Sequence, residues 1–298
     1  MRRVDVVELE GERCVGTVHE PATRSSRIGL LMLNPGYAPR DGQGGLAVKL
    51  CDALASRGVP CFRYDLPGLG DAPGPLPERM MQYFALVTRG DFTQLCARLV
   101  REVCAREQLD GVVLGGLCGG AVNALFASAV EPKRIHGLLL LEPELYLSDD
   151  EKREPRAHPW LPPRAAKQID RVVTKLLSSW WWMKLLSLEH PLGKKLPLPR
   201  EAILSFLVRH TSLPDVTNVP LTLAWQRWVR EGRPVLVITA QGKLRERFFE
   251  RITDAALQGV PRKNYAHVRV PNTNHIFTTG GASDTVTDLV VRHWAMLS

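Results

Sequence analysis

The sequence predicts an α/β fold, with a mostly parallel central sheet flanked by helices and a helical lid inserted between two of its strands. Three observations carry this. Short apolar runs alternate with amphipathic stretches through residue 141, and the same alternation resumes at Val235. The interval between, about Pro143 to Gly232, is too long for a structureless loop and contains helical periodicity broken by Pro155, Pro159, Pro162-Pro163, Pro197 and Pro199. Residues 1–142 and 233–298 are thus expected to form one core and 143–232 the inserted lid.

The first expected strand is Arg13–His19, followed by a second at Ile28–Leu33 that ends in Asn34-Pro35-Gly36-Tyr37. A helix near Gly44–Ser56 leads to a strand at Val59–Tyr64, closed by the loop Asp65-Leu66-Pro67-Gly68-Leu69-Gly70. Asp91 is the expected N-cap of a helix reaching Arg106, because Leu95, Leu99 and Val103 recur about once per helical turn. Val112–Leu114 then reads as a strand, Ala121–Ala129 as a helix and Ile135–Leu141 as a strand. After the insertion come a strand at Val235–Thr239, a helix near Arg245–Ala256, a strand near His267–Val270 and a terminal helix near Ser283–Trp294. Inside the insertion, helical stretches are expected around Ala165–Leu188 and Glu201–His210. They include Trp180-Trp181-Trp182, which cannot all share one helix face, so Trp181 is a candidate pocket residue.

Composition narrows the function classes. A formal charge of +8 suits an anionic partner, such as an acyl carrier protein or acyl-coenzyme A. The basic residues are dispersed among acidic ones, however, and no zinc-finger spacing, basic heptad or aromatic RNA-binding box accompanies them, so nucleic acid is not expected. None of the six cysteines forms a CxxC pair and no histidine stands in HExxH spacing, so neither a metal nor another cofactor is expected. No uninterrupted run reaches the roughly 18 apolar residues of a transmembrane segment, and the amino terminus has no apolar signal core. The expected location is cytoplasmic.

The chemistry concentrates at Gly116-Leu117-Cys118-Gly119-Gly120, a G-x-C-x-G pattern between a strand and a helix. A nucleophile on such a sharp turn is presented to solvent, and small neighbours let the backbone pass closely. The helix that follows places its positive end near the sulfur, which favours the thiolate. Cys118 is the candidate nucleophile. The backbone N–H of Gly119 is one expected oxyanion donor, and the second is expected from Gly36 or Tyr37, since Pro35 has no N–H. Asn34 either braces that loop or faces the pocket.

His275 follows the last strand, in Asn272-Thr273-Asn274-His275-Ile276-Phe277, and is the candidate base. An orienting acid is expected after the strand Val235–Thr239. That loop reads Gln241-Gly242-Lys243-Leu244-Arg245-Glu246, which makes Glu246 the first candidate, with Glu142 and Glu144 as alternatives after the preceding strand. A cysteine needs less activation than a serine, so a Cys–His dyad without a carboxylate is also chemically sound.

Four segments together resemble the α/β-hydrolase superfamily: Leu33-Asn34-Pro35-Gly36-Tyr37, Arg63-Tyr64-Asp65-Leu66-Pro67-Gly68-Leu69-Gly70-Asp71, Gly116–Ala121 and Asn274-His275-Ile276-Phe277. Within it they are most similar to the cysteine-nucleophile bacterial hydrolases of the exosortase-associated and biosynthetic-cluster group. Dienelactone hydrolases and polyhydroxyalkanoate synthases resemble the chain at the cysteine turn. The resemblance implies an α/β-hydrolase fold, Cys118 as nucleophile, His275 as base and the Asn34–Tyr37 loop at the oxyanion hole. It implies an aspartate after the late strand, where this chain has Gly242-Lys243.

The expected activity is hydrolysis of an acyl ester or thioester through an acyl-cysteine. The alternative is an acyltransferase or cyclising enzyme using the same intermediate. A binding protein on a hydrolase scaffold is the third reading, and Lys243 is its support.

Overall fold

The computed structural model describes residues 1–146 and 217–298. The described strands are β1 (Arg2–Leu9), β2 (Glu12–His19), β3 (Ile28–Leu33), β4 (Cys61–Asp65), β5 (Gly111–Leu117), β6 (Ile135–Leu141), β7 (Val235–Ala240) and β8 (Tyr265–Val270). They form one sheet in the order β1-β2-β4-β3-β5-β6-β7-β8. β1 and β2 pair antiparallel, as do β2 and β4, and every pairing from β4 through β8 is parallel.

Successive side chains of a strand point to opposite faces, so a strand buried on both faces must be apolar throughout. β6 shows this directly. Leu138 and Leu140 enter one apolar cluster, whereas Leu139 and Leu141 enter the other. Helices α1 (Leu46–Ala55) and α7 (Ala282–Leu297) cover the second cluster. On the opposite face lie α2 (Met80–Arg89), α3 (Thr93–Arg106), α4 (Gly119–Val130), α5 (Val219–Arg230) and α6 (Leu244–Ala256). Among the described residues, no helix is long and apolar enough to cross a membrane.

Three described elements were not anticipated. β1 alternates charged and apolar side chains and leaves Val4 and Val6 exposed, so it lacks the apolar run by which the inner strands stand out. A tight hairpin joins it to β2 through Glu10 and Gly11, both with positive φ. α2 is marked in hindsight by Tyr83 and Val87, one turn apart and buried, and by Gly90 closing the helix in the left-handed conformation. α5 begins at Asn218, whose side chain accepts from the Leu221 N–H, and buries Trp225 against Phe249 and Tyr265. It lies inside the 143–232 span and packs in the main apolar cluster.

One expected cap is corrected. α3 starts at Thr93 after Phe92, and Asp91 pairs with Arg89 instead of capping the helix. The two chain ends that flank residues 147–216 meet: Tyr146 and Thr217 form an antiparallel bridge, and Asn218 N–H donates to Leu145 O at 2.8 Å. The chain therefore leaves and rejoins the core at one point, as an insertion does. The helices expected at Ala165–Leu188 and Glu201–His210, and Trp181, lie outside the described residues.

Candidate active site

The parallel strands deliver Leu33, Asp65, Cys118, Glu142 and Gln241 to one edge, the carboxyl edge, where α/β sheets bind ligands. Cys118 stands between β5 and α4 with φ 53° and ψ −113°, a conformation that L-residues rarely adopt. Its N–H donates to Leu141 O at 2.8 Å, tying the turn to β6. The flanking glycines are sterically required. A Cβ at Gly116 would lie 2.3 Å from the Gly120 carbonyl carbon, and one at Gly120 would lie 2.6 Å from Asn34 O. Only glycine at both positions lets strand, helix and the β3 loop approach this closely.

Asn34 proves to be the brace of that loop. Its side-chain amide donates to Ala38 O at 3.0 Å and to the Asp65 carboxylate at 2.9 Å, and its carbonyl accepts from Leu66 N–H at 2.8 Å. The residue is buried with its polar atoms committed to the β3 and β4 loops. Asp65 also accepts from the Arg40 backbone at 2.6 Å and from Asp71 N–H at 3.1 Å, and it pairs with the Arg40 guanidinium. Gly36 then sits against Gly119. The Gly36 N–H donates to Asn34 O at 2.9 Å, whereas the Tyr37 N–H has no partner among the described residues. Of the two candidates, Tyr37 has the N–H left to offer. Its ring packs edge-on to Tyr83 at 5.6 Å.

Around the sulfur stand two groups of opposite charge. The Cys118 thiol donates to Glu144 Oε1 at 3.4 Å, and Arg245 Nη1 approaches the sulfur at 3.6 Å. Arg245 and Glu144 form an ion pair with each other. Burial pushes the Cys118 thiol up, against the pull of Arg245 and of the Gly119 N–H. The helix terminus therefore does not by itself set the sulfur's protonation, because desolvation of a buried thiolate is the larger effect. Glu142, with φ 50°, is buried at the end of β6, and its carboxylate accepts from Ala240 N–H. Burial raises its pKa to about 7.

His275 lies on the β8–α7 loop. Asn274 holds that loop by accepting from Thr278 N–H at 3.0 Å, and Phe277 anchors it in the core. Burial, and then the charge of Arg245, lower the His275 pKa, which keeps the imidazole neutral near pH 7 and able to accept a proton. Among the described residues no hydrogen bond joins His275 to Cys118 or to any carboxylate. Glu246 turns elsewhere. One oxygen accepts from Gly242 N–H and the other pairs with Arg269 at 3.0 Å, so Glu246 and His275 are not brought together. Among the described residues no group of three His, Cys, Asp or Glu side chains converges as a metal site would. A surface hollow bounded by Met1, His19 and Asp52 lies at the opposite, amino edge of the parallel strands.

Residues 35–287 match the sequence model of the alpha/beta hydrolase family, which is most of the chain. The chain belongs to the alpha/beta hydrolase family. No curated protein matches this alpha/beta hydrolase significantly. Similar solved structures include a haloalkane dehalogenase from Agrobacterium tumefaciens, with TM-score 0.57, 16% identity and coverage of 100% of this chain and 97% of that one. The thioesterase domain from the curacin biosynthetic pathway has TM-score 0.55 and 15% identity, over 98% of this chain and 99% of that one. A dienelactone hydrolase from Anabaena variabilis has TM-score 0.55 and 12% identity, over 100% and 99%. At these identities the likeness is one of fold.

In this alpha/beta hydrolase the residue that sequence reasoning missed is Arg245. It was visible only as one cation in a charged helix start, and no local signal showed that it meets Cys118.

Proposed function

We propose that this hydrolase cleaves an acyl ester or thioester through an acyl-cysteine on Cys118. The observation that carries the reading is the left-handed Cys118 turn at the carboxyl edge, with the Gly119 α-carbon packed against Gly36. In the first step the sulfur attacks the carbonyl carbon, and the N–H groups of Gly119 and Tyr37 hold the oxyanion. His275 takes the thiol proton and gives it to the leaving oxygen or sulfur. Water, deprotonated by His275, then attacks the acyl-cysteine and releases the acid and the thiol. The segments quoted above support placement near the exosortase-associated cysteine hydrolases. An acyl-coenzyme A or acyl carrier protein is the matching donor for a protein of net charge +8.

Transfer is the second reading, either as an acyltransferase or as a cyclising enzyme. It is favoured by the lack of any carboxylate bonded to His275 among the described residues, because a neutral acceptor amine attacks with less help from the base than water needs.

The test is acid-quenched mass spectrometry of the protein with a panel of acyl thioesters, with and without added amine or alcohol. The expected result is an acyl adduct on Cys118 and release of free acid. Product formed only with an acceptor establishes transfer. An unmodified Cys118 with no turnover of any substrate overturns the proposal.

A further inference from the structure

We propose that Arg245 is an anion-recognition residue and that the acyl substrate carries a carboxylate close to its scissile carbonyl. This inference rests on the reading of Cys118 as the nucleophile and narrows the substrate class.

The argument starts from which atoms of Arg245 are engaged. Both of its contacts, the ion pair to Glu144 and the approach to the Cys118 sulfur, are made by Nη1. Nε and Nη2 have no hydrogen-bond partner among the described residues, and 38% of the side chain is exposed. A guanidinium presents five N–H donors in a rigid fork, and a carboxylate matches two of them side by side. Glu144 occupies one position of that fork and leaves another open toward solvent, within a few ångströms of the sulfur. A carboxylate entering there would have its own carbonyl group, two to four bonds away, at the thiol.

The surrounding charges favour the same ligand. Lys243 is exposed two residues earlier in the chain. Glu142 has its pKa raised to about 7 by burial, so it carries only part of a negative charge near neutrality. Glu144 alone balances Arg245 directly, and it also accepts from the thiol. A substrate carboxylate on Arg245 would share the guanidinium with Glu144, taking the donors that the ion pair leaves unused. Arg245 could have been only a structural tie between β6 and α6. In that case its nitrogens would all be taken up by protein acceptors, as those of Arg40 are: Nε donates to Thr17 Oγ1 at 3.1 Å, Nη1 pairs with Asp65 and Nη2 pairs with Asp71 at 2.8 Å.

The test compares two alkylating reagents that differ only in charge, iodoacetate and iodoacetamide, on the full chain, with Cys118 followed by peptide mapping. Rates are normalised to those of a small free thiol. The expected result is a preference of Cys118 for iodoacetate of about 10-fold or more. Arg245→Gln should abolish it and Arg245→Lys should retain part of it, since a point charge replaces the fork. Equal normalised rates in the wild type, or a preference unchanged in Arg245→Gln, overturn the proposal while leaving Cys118 a reactive thiol. A variant that merely loosens the fold changes both rates together, leaves their ratio intact and counts against it. Failure of both reagents to modify Cys118 overturns the nucleophile reading, and this inference with it.

Discussion

The Gly119 α-carbon faces the backbone of Gly36 so closely that a Cβ on Gly119 would lie 2.9 Å from Gly36 Cα and 3.0 Å from Gly36 N. The loop that carries the Tyr37 N–H is thus held close to Gly119 by the absence of one methyl group. Gly119 opens α4 with no positive φ, so alanine there carries no backbone strain and gains helix propensity. The methyl must instead displace the Gly36-Tyr37 loop. Gly119→Ala is expected to lower kcat/KM by about 10²-fold or more, the scale of one lost oxyanion donor. Displacing backbone costs on the order of 1–3 kcal/mol, offset in part by the helix propensity of alanine, so the melting temperature should also fall. Kinetics and thermal melts on the same preparation check this, and full activity in the variant would remove Gly36-Tyr37 from the site.

Cys118 is expected to react with iodoacetamide ahead of the other five cysteines. All six are buried, and burial pushes the thiols of Cys14 to about 12 and Cys104 to about 11. Cys61 and Cys96 are raised as well. Cys118 is raised too, but it alone is met by a cation at the sulfur, and its labelling should quicken as pH rises. Time-resolved peptide mapping decides this, and labelling of Cys104 before Cys118 would contradict it.

His275→Ala should lose about 10²–10⁴-fold in kcat/KM, because it removes proton transfer itself. Glu246→Gln should stay within about 3-fold of the parent, since no contact links Glu246 to His275. Its expected effect is on stability, on the order of 1–2 kcal/mol, through the Gly242 and Arg269 contacts. Comparing kcat/KM with the denaturation midpoint separates the two. A crippled but stable Glu246→Gln would restore Glu246 as the orienting acid.

Glu142 gives the protein a pH-dependent stability. Its carboxyl sits near 7 when folded against a usual 4.5, so between these values the folded state keeps a proton that the unfolded chain releases. Stability from this group is fully present below about pH 4.5 and is lost as pH rises through 7, by on the order of 3 kcal/mol. Glu142→Gln can still accept from Ala240 N–H but never ionises. It should be more stable than the parent at pH 8 and close to it at pH 5. Urea midpoints at the two pH values measure the difference, and a parallel shift of both proteins would refute the assignment.

Much of the fold was legible in the sequence because it depends on local periodicity. Ile135–Leu141 is a short apolar run between punctuated segments, which reads as a strand covered on both faces, and Gly116 and Gly120 mark a turn that larger residues would block. The place of His275 after the last strand was legible as well. β1 was not, because an edge strand exposed to water on one side can alternate Arg, Val and Glu and still pair through its backbone.

The sequence by itself determined the order of the inner strands and of most of the helices that cover them, the cysteine turn and the place of His275 after the last strand. The tertiary structure alone decided which loop side chains meet there. A parallel sheet sets the ends of β5, β6 and β7 side by side, so residues distant in the chain become neighbours. Glu144 and Arg245 meet at Cys118, while Glu246 turns back to Gly242 and Arg269. Long charged side chains have many rotamers of similar energy, and no local pattern selects among them. The partner within reach, and the water excluded by burial, make that selection.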